Sequence, residues 1–303
     1  TNAADVVKSG RGGACEGEAQ GGAAPTEAVR ECSRPWSGDS LVAAESECLV
    51  LLRRHGLLNE AALAAPALAN PAAANFTPTQ ATTILAFKFT GGVLVAGDRR
   101  ATAGNTVVYD RADKVLEIDR HSIMAIAGVP ATAWEMARVL EHALQYFRRT
   151  QLQEMSVDGK VRALSKLLRD NFGFVVQGIG VVVPIFATYD FAGAGQARLY
   201  FYDAMGAQFE VAEYAATGSG SPAVRGVLFY ENRWGKKPLQ KLSEQDAVTV
   251  ALRALDTAAD ADTATGGVDR NARIFPIIKI ISCDGIKTLP DKQIAARFKS
   301  TVA

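Results

Sequence analysis

The 303-residue chain is poor in the residue types from which most metal, redox and acid–base sites are built: it has 3 His and 4 Cys. It contains no His-Glu-x-x-His and no paired Cys-x-x-Cys, so nothing in it reads as a zinc site. Four cysteines in this length are too few for a disulfide scaffold, and Cys283, in an apolar run, reads as a core thiol. His55, His121 and His142 read as surface histidines. No stretch reaches 18 consecutive apolar residues, so no membrane-spanning helix is expected. Charge of one sign is missing too. Lys+Arg 33 against Asp+Glu 32 leaves a net charge of +1, which argues against a dedicated nucleic-acid binder, though not against a local basic patch. Gly218-Ser219-Gly220-Ser221 is not the Gly-x-Ser-x-Gly of a nucleophile elbow, and no Gly-Lys-Ser/Thr follows it to make a phosphate loop. No repeat of 20–50 residues is evident. The first residues show no basic start followed by an apolar run. The expectation is therefore no secretory leader and a cytoplasmic location.

What is present is unevenly distributed. The bulk composition, 48% hydrophobic and 21% charged, is ordinary for a globular protein, and the length alone suggests about two domains. Residues 1–81, however, hold 19 Ala and 8 Gly but only two aromatics, Trp36 and Phe76, of the chain's 23. They carry 6 basic and 9 acidic residues, against 27 and 23 in the remainder. Aromatic and branched side chains are what a core is made of. The first 81 residues are therefore expected to be a largely flexible segment, with one short helix within 41–57, and residues 82–303 to be one domain.

Within residues 82–303 the hydrophobic pattern alternates between periods. Strands are expected at 84–89, 93–96, a pair at 106–109 and 114–118, then 122–127, 181–187, 198–203, 208–211 and, last, 273–282. Helices are expected around Met136, Leu140, Ala143 and Phe147, and around Val161, Leu164, Leu168 and Val175 with Asp158 as N-cap. Two more should follow Pro222 and start at Ser243, where Ser-x-x-Asp resembles a capping box. Strands, two helices, strands, two helices suggest sheets packed face to face with helices outside.

One constellation carries chemistry. Ala81-Thr82-Thr83-Ile84 stands where the first strand begins. Gly97-Asp98-Arg99-Arg100-Ala101-Thr102-Ala103-Gly104-Asn105 ends the second, Lys114 opens a later one, and Ala127-Gly128 closes the next. Gly218-Ser219-Gly220 and Asp262-Thr263-Ala264-Thr265-Gly266-Gly267 follow in order. Each motif alone is weak. Together, at these spacings, they resemble the proteasome β-subunit family of the bacterial single-β kind over essentially all of residues 82–303.

The resemblance implies an α+β fold, the four-layer αββα sandwich of two antiparallel sheets of the N-terminal-nucleophile hydrolases. It makes residues 1–81 a propeptide, cut autocatalytically between Ala81 and Thr82, and the mature chain a threonine endopeptidase. Thr82 Oγ would attack the scissile carbonyl, and its freed α-amine, with an ordinary pKa near 7.7–8, would take the proton. Lys114 would favour the developing alkoxide and Asp98 would hold Lys114. Ser219, Asp262 and Thr265 would hold the amine and its water, with Thr265 where eukaryotic relatives more often have Ser. The Gly128 N–H would be the oxyanion donor, and Arg100 would support the site from behind. Ala101, Ala112, Leu116, Ile126, Pro130 and Trp134 would line an apolar pocket giving a chymotrypsin-like preference. Extended substrate would add as a strand beside Thr102 and Gly128. The partners that the resemblance implies are further copies in a β ring, seven-membered in family terms and stacked in pairs, α-type subunits, an ATP-driven unfoldase and unfolded polypeptide. No cofactor is implied.

Two positions depart from the family pattern. Ala81 stands where the family has Gly, whose freedom suits the tight turn of self-cleavage, so an uncleaved, trapped precursor is one expectation. Pro130 stands where a substrate-binding N–H is expected and has none to give. Two other readings stay open: an HslV-type peptidase, which shares Thr-Thr-Ile and Gly-Asp, and a non-catalytic structural ring subunit.

Overall fold

The first strand shows how the architecture arises. In Thr83–Phe89 (β2), alternate residues feed two different cores: Ile84 and Ala86 point one way, Leu85, Phe87 and Phe89 the other. A strand buried on both faces must lie in a sheet that is itself covered on both sides. The computed structural model describes residues 80–81, 83–104, 106–177, 180–191, 195–269 and 271–302. The expectations for residues 1–79 and for Thr82 lie outside the described residues.

Beyond the two-residue β1 (Gln80–Ala81) and β2, the strands are β3 (Gly92–Gly97), β4 (Ala101–Ala103), β5 (Thr106–Tyr109), β6 (Val115–Asp119), β7 (Ser122–Ala125), β8 (Ile185–Asp190), β9 (Gln196–Tyr202), β10 (Gln208–Glu210), β11 (Tyr214–Gly218), β12 (Ile277–Ser282) and β13 (Gly285–Thr288). They form an antiparallel sheet in the order β11-β2-β3-β12-β13, a second in the order β10-β9-β8-β7-β6, and a small third one, β1-β4-β5. The two large sheets face each other across Ile84, Ala86, Val93, Val95, Ile123, Ala125, Ile185 and Leu199.

The helices are α1 (Pro130–Gln151), α2 (Val157–Asp170), the short α3 (Phe172–Val176), α4 (Ser221–Trp234), α5 (Glu244–Ala261) and α6 (Asp291–Val302). Helices α1 and α2 cover the outer face of the β6–β10 sheet through Met136, Leu140, Leu144, Val161 and Leu164. Helices α4, α5 and α6 cover the other through Val224, Leu228, Leu252, Leu255, Ile294 and Phe298. Three cores between four layers give the αββα sandwich that the sequence implied. Each fully buried Leu, Ile or Phe contributes about 1.5–3 kcal/mol.

Local expectations needed correction where long-range pairing decides. Residues 106–109 and 114–118 are strands but not a pair: β5 pairs with β4, and β6 with β7. The first helix buries Ala133, Met136, Ala137, Leu140 and Leu144; Ala143 is exposed. Ser156, not Asp158, caps α2, its hydroxyl accepting the Gly159 N–H, and Val175 falls in the separate α3. Strand β11 was missed because Ala-Ala-Thr-Gly lacks large alternating side chains. Strand β13 and helix α6 were missed as well. Cys283 is exposed in the turn after β12. The Ser243 cap holds, accepting the Asp246 N–H.

Candidate active site

The strand register assembles the site. In the first large sheet Ile84 sits opposite Gly97, and Gly218 opposite Thr83. The start of β2, the end of β3 and the end of β11 therefore meet at one sheet end, bringing Thr83, Asp98 and Ser219 together from three distant segments.

Asp98 is fully buried. Its Oδ1 accepts the Thr83 N–H at 3.0 Å and the Lys114 ammonium at 2.6 Å. Its Oδ2 accepts the Arg100 and Gly266 N–H groups at 2.9 and 2.8 Å. Lys114, also fully buried, donates in addition to the Arg100 carbonyl. Burial pushes the Lys114 ammonium down from its ordinary value, Asp98 opposes the shift, and the Arg100 charge adds to it. A buried cation is tolerated only with such a partner.

A second group closes the other side. Asp262, the C-cap of α5, receives the Ser219 hydroxyl and, at 2.6 Å, the Thr265 hydroxyl on Oδ2, and the Ala264 N–H on Oδ1 at 3.2 Å. Partial burial pushes this carboxyl upward, but the hydrogen bonds from Ser219, Thr265 and Ala264 and the Arg100 charge outweigh it, so Asp262 stays below its ordinary range and is ionised at neutral pH. The Arg100 guanidinium donates to the Thr263 and Thr265 carbonyls at 2.9 and 3.2 Å, pinning this turn to the Asp98 loop.

Two glycines are required by geometry. A Cβ on Gly220 would lie 2.6 Å from both Thr265 Oγ1 and Thr83 Oγ1. Gly128 has φ +113°, and a Cβ there would lie 2.0 Å from the Val181 carbonyl oxygen. Gly128 bridges Val182, with Val129 N–H donating to Val181 and Val183 N–H to Ala127. In that antiparallel pattern the bridging residue's own N–H points to the opposite edge, the edge on which the Ile126 N–H donates to the Lys114 carbonyl.

Of the other expected residues, Ala101 and Thr102 lie on β4, and the antiparallel β1 pairs with them, Gln80 with Thr102 and Ala81 with Ala101. Ala112, Ile126 and Pro130 are buried and Leu116 is half-buried. Pro130 opens α1. Trp134 is exposed along one side, its Nε1–H donating to the Asp113 carbonyl at 3.1 Å. The Ala112 N–H donates to the Arg99 carbonyl, so the segments around Ala101, Ala112, Ile126 and Trp134 run alongside one another. Thr82 lies outside the described residues; Thr83 is the next residue of the chain. Sequence reasoning missed Thr83 itself and the Gly220 and Gly266 N–H donors. The signal available was the Gly-Ser-Gly and Thr-Gly-Gly runs, which it read only as motifs.

The family model described as "Proteasome subunit" matches residues 79–273. The chain belongs to the proteasome β-subunit family. It is 40% identical over 223 residues to "Proteasome subunit beta 2" of Thermomonospora curvata, covering 73% of this chain and 76% of that one. It is 40% identical over 212 residues to "Proteasome subunit beta" of Streptomyces griseus, with 70% and 73% covered, and 38% identical over 222 residues to the protein of that name from Streptosporangium roseum, with 73% and 76% covered. The αββα sandwich is thus the proteasome fold, and the chain is a proteasome-type subunit. No helix among the described residues is long and apolar enough to cross a membrane.

Proposed function

We propose that this chain is the precursor of an N-terminal-threonine endopeptidase that degrades unfolded polypeptide inside a closed chamber. The observation that carries the reading is the fully buried Lys114–Asp98 pair, 2.6 Å apart and tied through Asp98 to the N–H of the residue after Thr82. Such a pair is expensive to bury and is more readily explained by chemistry than by stability.

In this reading cleavage of the Ala81–Thr82 bond frees an α-amine that can act as base at neutral pH. Thr82 Oγ attacks the peptide carbonyl, its proton passes to the amine and then to the leaving nitrogen, and a water hydrolyses the resulting ester. The Lys114 charge favours the alkoxide and the Gly128 N–H receives the oxyanion. Before cleavage that nitrogen is an amide and no base. The pairing of Gln80 and Ala81 with β4 supports reading this stretch as the end of a prosegment that occupies the strand position of an extended substrate. The working form in this reading is a β ring, seven-membered by analogy with the family and stacked in pairs, joined to α-type subunits and fed by an ATP-driven unfoldase in the cytoplasm. The chemistry needs no cofactor.

The test is intact mass together with fluorogenic peptide hydrolysis. A species beginning at Thr82 is expected, and Thr82→Ala in processed material should reduce hydrolysis to background. Full activity in that variant overturns the assignment. The apolar lining at Ala101, Ala112 and Ile126 predicts that peptides with Leu, Tyr or Phe before the cut outrun those with Arg or Asp; the reverse order removes the pocket assignment.

Ala81 favours a second reading, an uncleaved assembly form. If its Cβ restricts the turn needed for self-cleavage, Ala81→Gly should raise the rate at which the Thr82 species appears. An unchanged rate counts against that restriction.

A further inference from the structure

Thr83 is fully buried, yet its hydroxyl has a defined set of partners. The Gly220 N–H donates to Thr83 Oγ1 at 3.1 Å, and Thr83 Oγ1 lies 2.6 Å from Thr265 Oγ1. Thr265 Oγ1 in turn donates to Asp262 Oδ2 at 2.6 Å. Proton bookkeeping then admits one direction. Asp262, held ionised by Ser219, Thr265 and the Ala264 N–H, only accepts. Thr265 has one hydroxyl proton and gives it to Asp262, so the proton shared between the two threonines belongs to Thr83. The chain runs from the Gly220 N–H through Thr83 Oγ1–H and Thr265 Oγ1–H to the Asp262 carboxylate.

We infer that Thr83 is a positioning residue for the hydrolysis proposed above: its hydroxyl gives its proton to Thr265 Oγ1 and so fixes the orientation of Thr265, one of the groups read as holding the Thr82 amine, leaving Thr265 an acceptor lone pair and no free proton. The inference rests on the proposed N-terminal-threonine reading. Three features support it. Directional chains ending on a charged group hold their members in one rotamer. The same Thr83 residue gives its N–H to Asp98, so one residue clamps both the Lys114 side and the Asp262 side of the site. A Cβ on Gly220 would collide with both threonine hydroxyls, so it is glycine at 220 that lets the pair lie against the Gly220 N–H. An acceptor at Thr265 suits an amine that must gain a proton during the attack, whereas a donor would favour the unprotonated nitrogen and weaken the base.

The experiment compares wild type, Thr83→Val, Thr83→Ser and Thr82→Ala as full-length chains allowed to process, reading kcat and KM on a fluorogenic peptide and the midpoint of thermal unfolding. Thr83→Val keeps the shape and removes the donor. The expected result is a fall in kcat of about ten- to a hundred-fold at nearly unchanged KM, with Thr83→Ser recovering most of it. Should Thr83→Val fail to fold, the smaller change Thr83→Ala removes the same donor, and its kcat loss against recovery in Thr83→Ser is the deciding reading. If Thr83→Val matches wild type in kcat, or if Thr83→Ser is as slow as Thr83→Val, the positioning role is overturned while the threonine reading stands. Where intact mass shows no start at Thr82 in wild type, the series is repeated in the Ala81→Gly background; if chains that do start at Thr82 show no hydrolysis, or Thr82→Ala is as active as they are, the threonine reading fails and the role of Thr83 with it.

Discussion

Asp98→Ala lowers stability by about 3–5 kcal/mol at neutral pH, the loss expected when one partner of a buried ion pair is removed. The Lys114 ammonium would then lie buried without its charge partner, and the N–H groups of Thr83, Arg100 and Gly266 would lose the oxygens they now reach. Lys114→Ala is milder for the fold, because the Asp98 carboxylate keeps those three N–H donors. Its effect falls on hydrolysis, which should drop by about two to three orders of magnitude. The two variants thus separate a structural from a chemical loss. The pH dependence has a definite sign. Burial already holds Lys114 below its ordinary value, and loss of Asp98 lowers it further. The folded state of Asp98→Ala then binds fewer protons than the unfolded chain, so its stability rises with pH. Its deficit should shrink between neutral pH and about 10, the range up to the ordinary lysine pKa. Denaturant midpoints across that range check it. A deficit that grows with pH, or an Asp98→Ala no less stable than Lys114→Ala, contradicts the account.

Gly128→Ala should impair both folding and hydrolysis. Its φ of +113° is a region that L side chains rarely adopt, and the new Cβ would meet backbone, the Val181 carbonyl oxygen at 2.0 Å and carbon at 2.9 Å. No flexible side-chain end can yield, so the bridge to Val182 must open. Backbone strain of this kind is worth about 1–3 kcal/mol. Displacing the N–H assigned to the oxyanion should lower kcat by about two to three orders of magnitude. Gly226→Ala is the control. That glycine lies inside α4 with nothing within 4 Å of its Cβ position, so alanine should stabilise by about 0.5–1 kcal/mol through backbone entropy. Thermal unfolding and peptide hydrolysis of both variants decide it. Wild-type kcat in Gly128→Ala would remove the oxyanion assignment.

Most strand and helix positions in residues 83–302 were legible because period and caps are local properties. Ile84–Phe89 alternates β-rich residues, and Ser243 accepts the Asp246 N–H as a cap should. Errors arose where a local signal is silent. Tyr214–Gly218 becomes a strand because its small residues pair with β2, which nothing in Ala-Ala-Thr-Gly announces. The helix at 130–151 turns Leu144 inward in place of Ala143 because the sheet, not the helix, decides which stripe is covered. Cys283 looked like a core thiol from its apolar neighbours, but it falls one residue past β12, in a turn.

The sequence by itself determined the family, through the order and spacing of Thr82-Thr83, Gly97-Asp98, Lys114, Gly218-Ser219-Gly220 and Asp262-x-x-Thr265. It also set the aromatic-poor residues 1–81 apart in composition from the aromatic-rich remainder. Only the tertiary structure decided which groups touch. Lys114 meets Asp98 across 16 residues, Gly220 meets Thr83 across 137 and Thr265 meets Thr83 across 182. Such contacts follow from strand register: pairing Gly218 with Thr83 and Ile84 with Gly97 carries the loop ends to one place. A one-residue slip would turn every inward side chain to the opposite face.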